Sequence, residues 1–162
     1  AGGAHVGVSS GWVALRSRAM SLLLLVHVGV TLVNVGVIWV VQVVHYPLFA
    51  GVGEAGWPEY HLGHSRRISR IVAPTMCVEA ATALLLVLAP PDGVPLALPV
   101  AGLVAVGLVW ASTWLLQVPA HRDLGGRFDP GAHARLVSGN WLRTALWTGR
   151  GALVLVMAAQ AG

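Results

Sequence analysis

Three groups of polar residues stand where apolar runs begin or end. Gln42-Val-Val-His45-Tyr46-Pro47 closes one run, His61-Leu-Gly-His64 opens the next, and Gln117 and His121 close a third. Imidazole suits Zn, Cu and Fe, and neutral histidine is the commonest ligand of this kind. His61 and His64 are three residues apart, a helical spacing that lets both point at one ion. His45 and His121 complete such a set from neighbouring helices, as in metal sites built in bundle cores. Copper or iron is the metal expected. Haem is the other cofactor the set suits, with His45 and either His64 or His121 as axial ligands. The plainer reading of the same residues is interfacial: side chains hydrogen-bonded to headgroups, to water or to one another.

Gln42, Gln117 and Trp114 are the candidate cofactor-binding residues beside these histidines. Trp110, Trp114 and Trp147 suit the lining of a haem, quinone or aromatic-substrate cavity, and equally an aromatic belt at a membrane interface. Asn140, Arg143, Trp147 and Arg150 recur every three or four residues. That spacing puts them on one helical face. Asn140 and Arg143 are the candidate catalytic pair, placed to orient or polarise a substrate oxygen.

Elements must exist to bring these residues together. The chain has 162 residues, 56% of them hydrophobic and 10% charged, with a mean hydropathy of +0.75. Soluble domains carry about a quarter charged residues. Here the runs are long enough to cross a bilayer of about 30 Å, which takes about 20 residues. The spacing predicts helices over residues 20–49, 58–89, 94–118 and 134–159, in one domain over 20–162 preceded by an extension over 1–19. The run after Arg16 and Arg18 is too long for a signal peptide and has no small-residue cleavage site beyond it. In the first helix His27, Thr31, Asn34, Gln42 and His45 share a face, which is expected to point inward because a polar group in hydrocarbon needs a partner. Pro74 is expected to kink the second helix and Pro119 to end the third, leaving 120–133 as a polar loop. Cys77 is the single cysteine, so it has no partner within the chain.

Four spans put Gln42, His45, His61, His64, Gln117, His121, Asn140 and Arg143 at the same end. Arg66, Arg67, Arg70, Arg122, Arg127, Arg135 and Arg143 gather there too, against Arg16 and Arg18 at the other. By the positive-inside bias that end is cytoplasmic, with both termini outside, in a bacterial inner membrane. Glu79 and Arg150 lie elsewhere. Each is about 15 Å into its span at 1.5 Å per residue, near mid-membrane. A lone charge there is costly, so they are expected to pair with each other or through Asn34. A proton-relay role for Glu79 is the functional alternative.

No phosphate loop, dinucleotide fingerprint or Gly-x-Ser-x-Gly elbow occurs. Nor does a Cys-x-x-Cys or His-Glu-x-x-His motif. The arginines are not interleaved with aromatics on a soluble domain, so nucleic-acid binding is not expected.

Gln117-Val-Pro119-Ala-His121-Arg-Asp-Leu124 and Leu136-Val-Ser-Gly-Asn140-Trp141-Leu142-Arg143-Thr144 resemble segments of the anthrone-oxygenase-like family of small four-helix membrane proteins. Asn140, Arg143 and Thr144 match the Trp-Asn-x-x-Arg-Thr-type segment that opens that family's fourth helix. His121 stands where the family usually has Asn, and Tyr46-Pro47 matches its first-helix exit. The resemblance implies oxidation of a polycyclic aromatic. The histidine set departs from the family pattern.

Together these features predict an all-α, four-helix transmembrane bundle. The expected function is a membrane oxidoreductase or oxygenase with a His-rich site, acting on a lipophilic aromatic or quinone-like molecule that enters from the bilayer. The alternative is a non-catalytic subunit of a larger membrane complex that binds haem, pigment or lipid. Other membrane proteins or a second copy of the chain are the partners expected.

Overall fold

The structure, a computed structural model, describes residues 4–161. Every regular element among the described residues is helical. Helix α1 spans Ala4–Val40, a π-helical turn comes next over Val41–His45, and α2 covers Tyr46–Leu48. A 3-10 turn at Phe49–Gly51 ends this first rod. Helix α3 is Trp57–Leu88, α4 is Ala97–Ser112, a second π turn covers Thr113–Gln117, α5 is Val118–Asp123, and α6 is Pro130–Gln160.

These bounds change three expectations. The 1–19 extension is helix from Ala4 onward and continuous with α1; its residues 1–3 lie outside the described residues. Pro119 does not end the third helix. It falls in the first turn of α5, where the missing N–H removes no bond the helix needs, so His121 stays on the rod. The last helix starts at Pro130, not near Ala134. Asp129 caps it, its Oδ1 accepting from the Ala132 amide at 2.6 Å, and Pro130 holds the first position.

Both π turns stand just before a proline-bearing turn. The amide of Tyr46 bonds back five residues to Val41, and that of Val118 to Thr113. Each wide turn shifts the register of the helix beyond it, and such turns cluster at functional sites. Here they carry Gln42, His45 and Gln117.

Helix α1 packs on α3 and on α6, and α4 packs on the same two helices. Gly151 of α6 is buried where an added Cβ would stand 3.1 Å from Val35 Cγ2 of α1. Small residues at such crossings let helix backbones approach closely.

The inside is polar and the outside apolar. His27, Thr31, Asn34, Gln42, Glu79, Thr82, Ser112, Gln117, Asn140, Arg143, Thr144 and Arg150 are buried. Leu22, Leu25, Val40, Leu62, Leu84, Leu88 and Leu115 are exposed. Water disfavours that distribution and hydrocarbon favours it. Three stretches, Ala14–Gly51, Glu54–Leu88 and Ala97–Asp123, are long and apolar enough to cross a membrane. The polar face of α6 lowers its hydropathy, although at 31 residues it is about 46 Å long.

Candidate functional site

Two polar clusters occupy the interior at different depths. The deeper one centres on Glu79. Its Oε1 accepts from Arg150 Nε at 2.9 Å, and its Oε2 from Asn34 Nδ2 and Trp147 Nε1, each at 3.0 Å. Thr75 Oγ1 donates to Asn34 Oδ1 at 2.7 Å. The guanidinium of Arg150 also donates from Nη1 to the Gly102 carbonyl and from Nη2 to His27 Nε2. His27 Nδ1 then donates to Thr82 Oγ1, whose own proton goes to the Val78 carbonyl. Every polar atom of Glu79 and Arg150 thus has a partner, the condition under which a buried ion pair persists.

The second cluster gathers the residues the sequence places at one end. His45 Nε2 and His64 Nδ1 are 2.7 Å apart, and His61 Nε2 and His121 Nδ1 are 3.1 Å apart. The rings of His64 and His121 stack at 5.8 Å, linking the two pairs. Tyr46 extends the chain: its hydroxyl is 3.0 Å from His121 Nε2. Its backbone carbonyl accepts from His133 Nε2 at 2.8 Å, tying α2 to the start of α6. Trp57 Nε1 donates to the Leu124 carbonyl at 2.8 Å, and its ring stacks on His61.

The histidines are therefore partnered with each other. Among the described residues no group of three or more His, Cys, Asp or Glu is arranged to hold a metal ion. Each facing nitrogen in the two pairs is used by its neighbour, and His45 and His64, 2.7 Å apart, leave no room between them for a haem iron in this arrangement. As they stand, the residues expected as one four-histidine set form two hydrogen-bonded pairs.

Gln42 and Asn140 also have structural partners. Asn140 Nδ2 donates to Gln42 Oε1 at 2.8 Å, and Gln42 Nε2 donates to the Val137 carbonyl at 3.3 Å. Asn140 Oδ1 accepts from Arg143 Nη1 at 3.2 Å. Neither residue lines the cavity beside them, and Asn140 meets the cavity wall only through its bond to Arg143.

That cavity, of about 370 Å³, lies between the two clusters. Its walls are mostly apolar and include Ile38, Met76, Trp110, Trp114 and Trp147. At one end Tyr46, Gln117, His121 and Arg143 line it. Trp114, 61% exposed, stands at its outer edge. Arg143 lies over the Trp147 ring, 5.0 Å from its centroid. Gln117 is buried with neither amide atom hydrogen-bonded, and Arg143 Nε is likewise buried and unpartnered. Buried polar atoms almost always find partners, so two residues of this wall carry hydrogen-bonding capacity that the fold leaves unmet.

Sequence reasoning brought Gln117, His121 and Arg143 to one end of the spans but gave Tyr46 no role beyond the exit of the first helix. Its hydroxyl, one residue past His45 in a chain with two tyrosines, was the available signal. Comparison with known protein families, characterised proteins and solved structures finds no match to this chain.

Proposed function

We propose that the chain is a four-helix transmembrane bundle of the oxidoreductase or oxygenase type that binds a lipophilic aromatic molecule bearing a carbonyl or phenolic oxygen, such as a quinone. One observation carries this: Gln117 and Arg143, which hold buried side-chain polar atoms without partners, both line a mostly apolar, tryptophan-walled cavity. A pocket of that size with a few convergent polar groups suits a small molecule of mixed character. In this reading the Arg143 guanidinium and the Gln117 amide turn toward the ligand, donating to a quinone oxygen and accepting from a neighbouring hydroxyl. A cationic donor in a water-poor site favours negative charge developing on that oxygen. The likeness of the Gln117–Leu124 and Leu136–Thr144 segments to the anthrone-oxygenase-like family supports the same substrate class. The arginine-rich end faces the cytoplasm of a bacterial inner membrane in this reading, with the substrate entering from the bilayer past Trp114.

Titration of the purified protein with a naphthoquinone, monitored by tryptophan quenching, tests the proposal. Saturable quenching is expected, weakened about tenfold by Gln117→Leu, as befits loss of hydrogen bonds worth about 1–1.5 kcal/mol. Absence of saturable binding overturns it. Stoichiometric copper or iron lost on His61→Ala and His64→Ala would instead make the histidine face a metal centre. A Soret or chlorin band would make the chain a pigment-binding subunit.

A further inference from the structure

The cavity wall holds three titratable side chains, Tyr46, His121 and Arg143. Arginine does not give up its proton under ordinary conditions. Any proton exchanged with a molecule in the cavity through the protein therefore passes by Tyr46 and His121. Both are hydrogen-bonded in line: Tyr46 Oη to His121 Nε2 at 3.0 Å, and His121 Nδ1 to His61 Nε2 at 3.1 Å. The last ring nitrogen, His61 Nδ1, has no partner among the described residues, yet it is not one of the buried unpartnered atoms. It is the outer terminus of the line.

Building on the quinone-cavity reading, we propose that Tyr46, His121 and His61 form a proton relay between the cavity and the arginine-rich end. Each member can donate and accept at once, as a relay requires: a phenol through its one oxygen, a neutral imidazole through its two nitrogens. In the inward state His61 Nε2–H donates to His121 Nδ1, and His121 Nε2–H donates to Tyr46 Oη. Tyr46 O–H then faces the ligand oxygen. Transfer moves one proton from Tyr46 to that oxygen, one from His121 Nε2 to Tyr46, one from His61 Nε2 to His121 Nδ1, and one from water to His61 Nδ1. One proton enters, one leaves, and both imidazoles end neutral in the opposite tautomer.

The groups around the line come from three sides. Arg143 of α6 shares the cavity wall with Tyr46 and His121. His64 of α3 stacks on His121, with His45 behind it. Trp57 of α3 covers His61. Moving the protons together keeps both rings neutral beside the fixed guanidinium charge of Arg143.

The test uses a hydroxyanthraquinone whose absorption reports its ionisation. The probe is bound to the full chain in detergent, and the pH is jumped by stopped flow. His61→Ala should bind the probe with unchanged affinity, because His61 does not line the cavity, while ionisation of the bound probe slows at least tenfold. Millimolar imidazole in the buffer should restore the rate. Tyr46→Phe should slow it equally without rescue by imidazole, which a merely structural effect of His61→Ala would not predict. Should His61→Ala fail to fold, His61→Gln serves in its place. If both variants bind the probe and relax at the wild-type rate, the relay is wrong and the cavity stands. If the wild type does not bind the probe, the cavity reading falls and the relay with it.

Discussion

Glu79 of α3 and Arg150 of α6 meet at 2.9 Å, with both side chains almost wholly out of contact with the surroundings. Removing one partner strands the other charge in the interior, which costs about 3–5 kcal/mol. Glu79→Gln keeps an acceptor for Trp147 and Asn34 but leaves the Arg150 charge uncompensated. Glu79→Gln and Arg150→Met should each lower unfolding stability in mixed micelles by that amount. Combining them should cost less than the sum, with a coupling of about 1–3 kcal/mol. Single variants within about 0.5 kcal/mol of wild type, the range of ordinary surface changes, would mean that the pair contributes nothing to stability.

Gln117 sets stability against binding. Its amide is buried with no partner on either atom, so the fold carries a desolvation cost of about 1–3 kcal/mol that a ligand would relieve. Gln117→Leu should raise the melting temperature of the ligand-free protein while weakening quinone binding about tenfold, the loss expected for hydrogen bonds of about 1–1.5 kcal/mol. A variant less stable than wild type, with unchanged affinity, would show that the amide is held by something other than a ligand. Gly139 offers a second approach to the same side chain. An added Cβ there would stand 3.2 Å from Gln117 Nε2, so Gly139→Ala should shift the amide and weaken binding with little change in stability.

Close approach of α1 and α6 depends on Gly151. A Cβ at this position meets Val35 Cγ2 at 3.1 Å, whereas one at Gly107 meets nothing within 4 Å. Gly151→Leu should therefore force the helices apart at a cost of about 1–3 kcal/mol, as overpacking does. Gly107→Leu should be tolerated. Protease protection of the two variants in detergent compares them directly, and equal protection would mean that the crossing is loose enough to take a side chain.

The depth of residues along each run was legible in the sequence. Counting about 1.5 Å per residue put Glu79 opposite Arg150 and kept both away from His45, His61, His64 and His121, because helix rise is insensitive to neighbours. The convergence of His45, His61, His64, Gln117, His121 and Arg143 came from the same counting. Which of them would face a cavity and which a neighbour did not. That choice turns on side-chain register, and two π turns shift it where Gln42 and Gln117 lie. Without those turns Gln42 and Gln117 look equivalent; with them Gln42 bonds Asn140 while Gln117 lines the cavity with its buried amide unpartnered. Pro119 misled for a related reason. A proline usually ends a helix, but after a π turn it begins one, so His121 remains on the rod and within reach of Tyr46.

Trp57 links the fold to the histidine line and carries the last prediction. Its indole is wholly buried, donates to the Leu124 carbonyl just past α5, and stacks on His61 at 5.3 Å. Trp57→Phe keeps an aromatic ring against His61 but leaves the Leu124 carbonyl buried without its donor. The loss should be about 1–3 kcal/mol. It falls on the segment that fixes His121 relative to His61, so the 3.1 Å contact between them should loosen as well. Nitrogen-15 spectra of selectively labelled histidine read this directly. The wild type should show His61 and His121 as paired neutral rings with one protonated and one bare nitrogen each, and Trp57→Phe should broaden or shift both sets while leaving His27 in place. Unchanged His61 and His121 signals in a destabilised Trp57→Phe protein would show that the Trp57–Leu124 bond supports the fold alone.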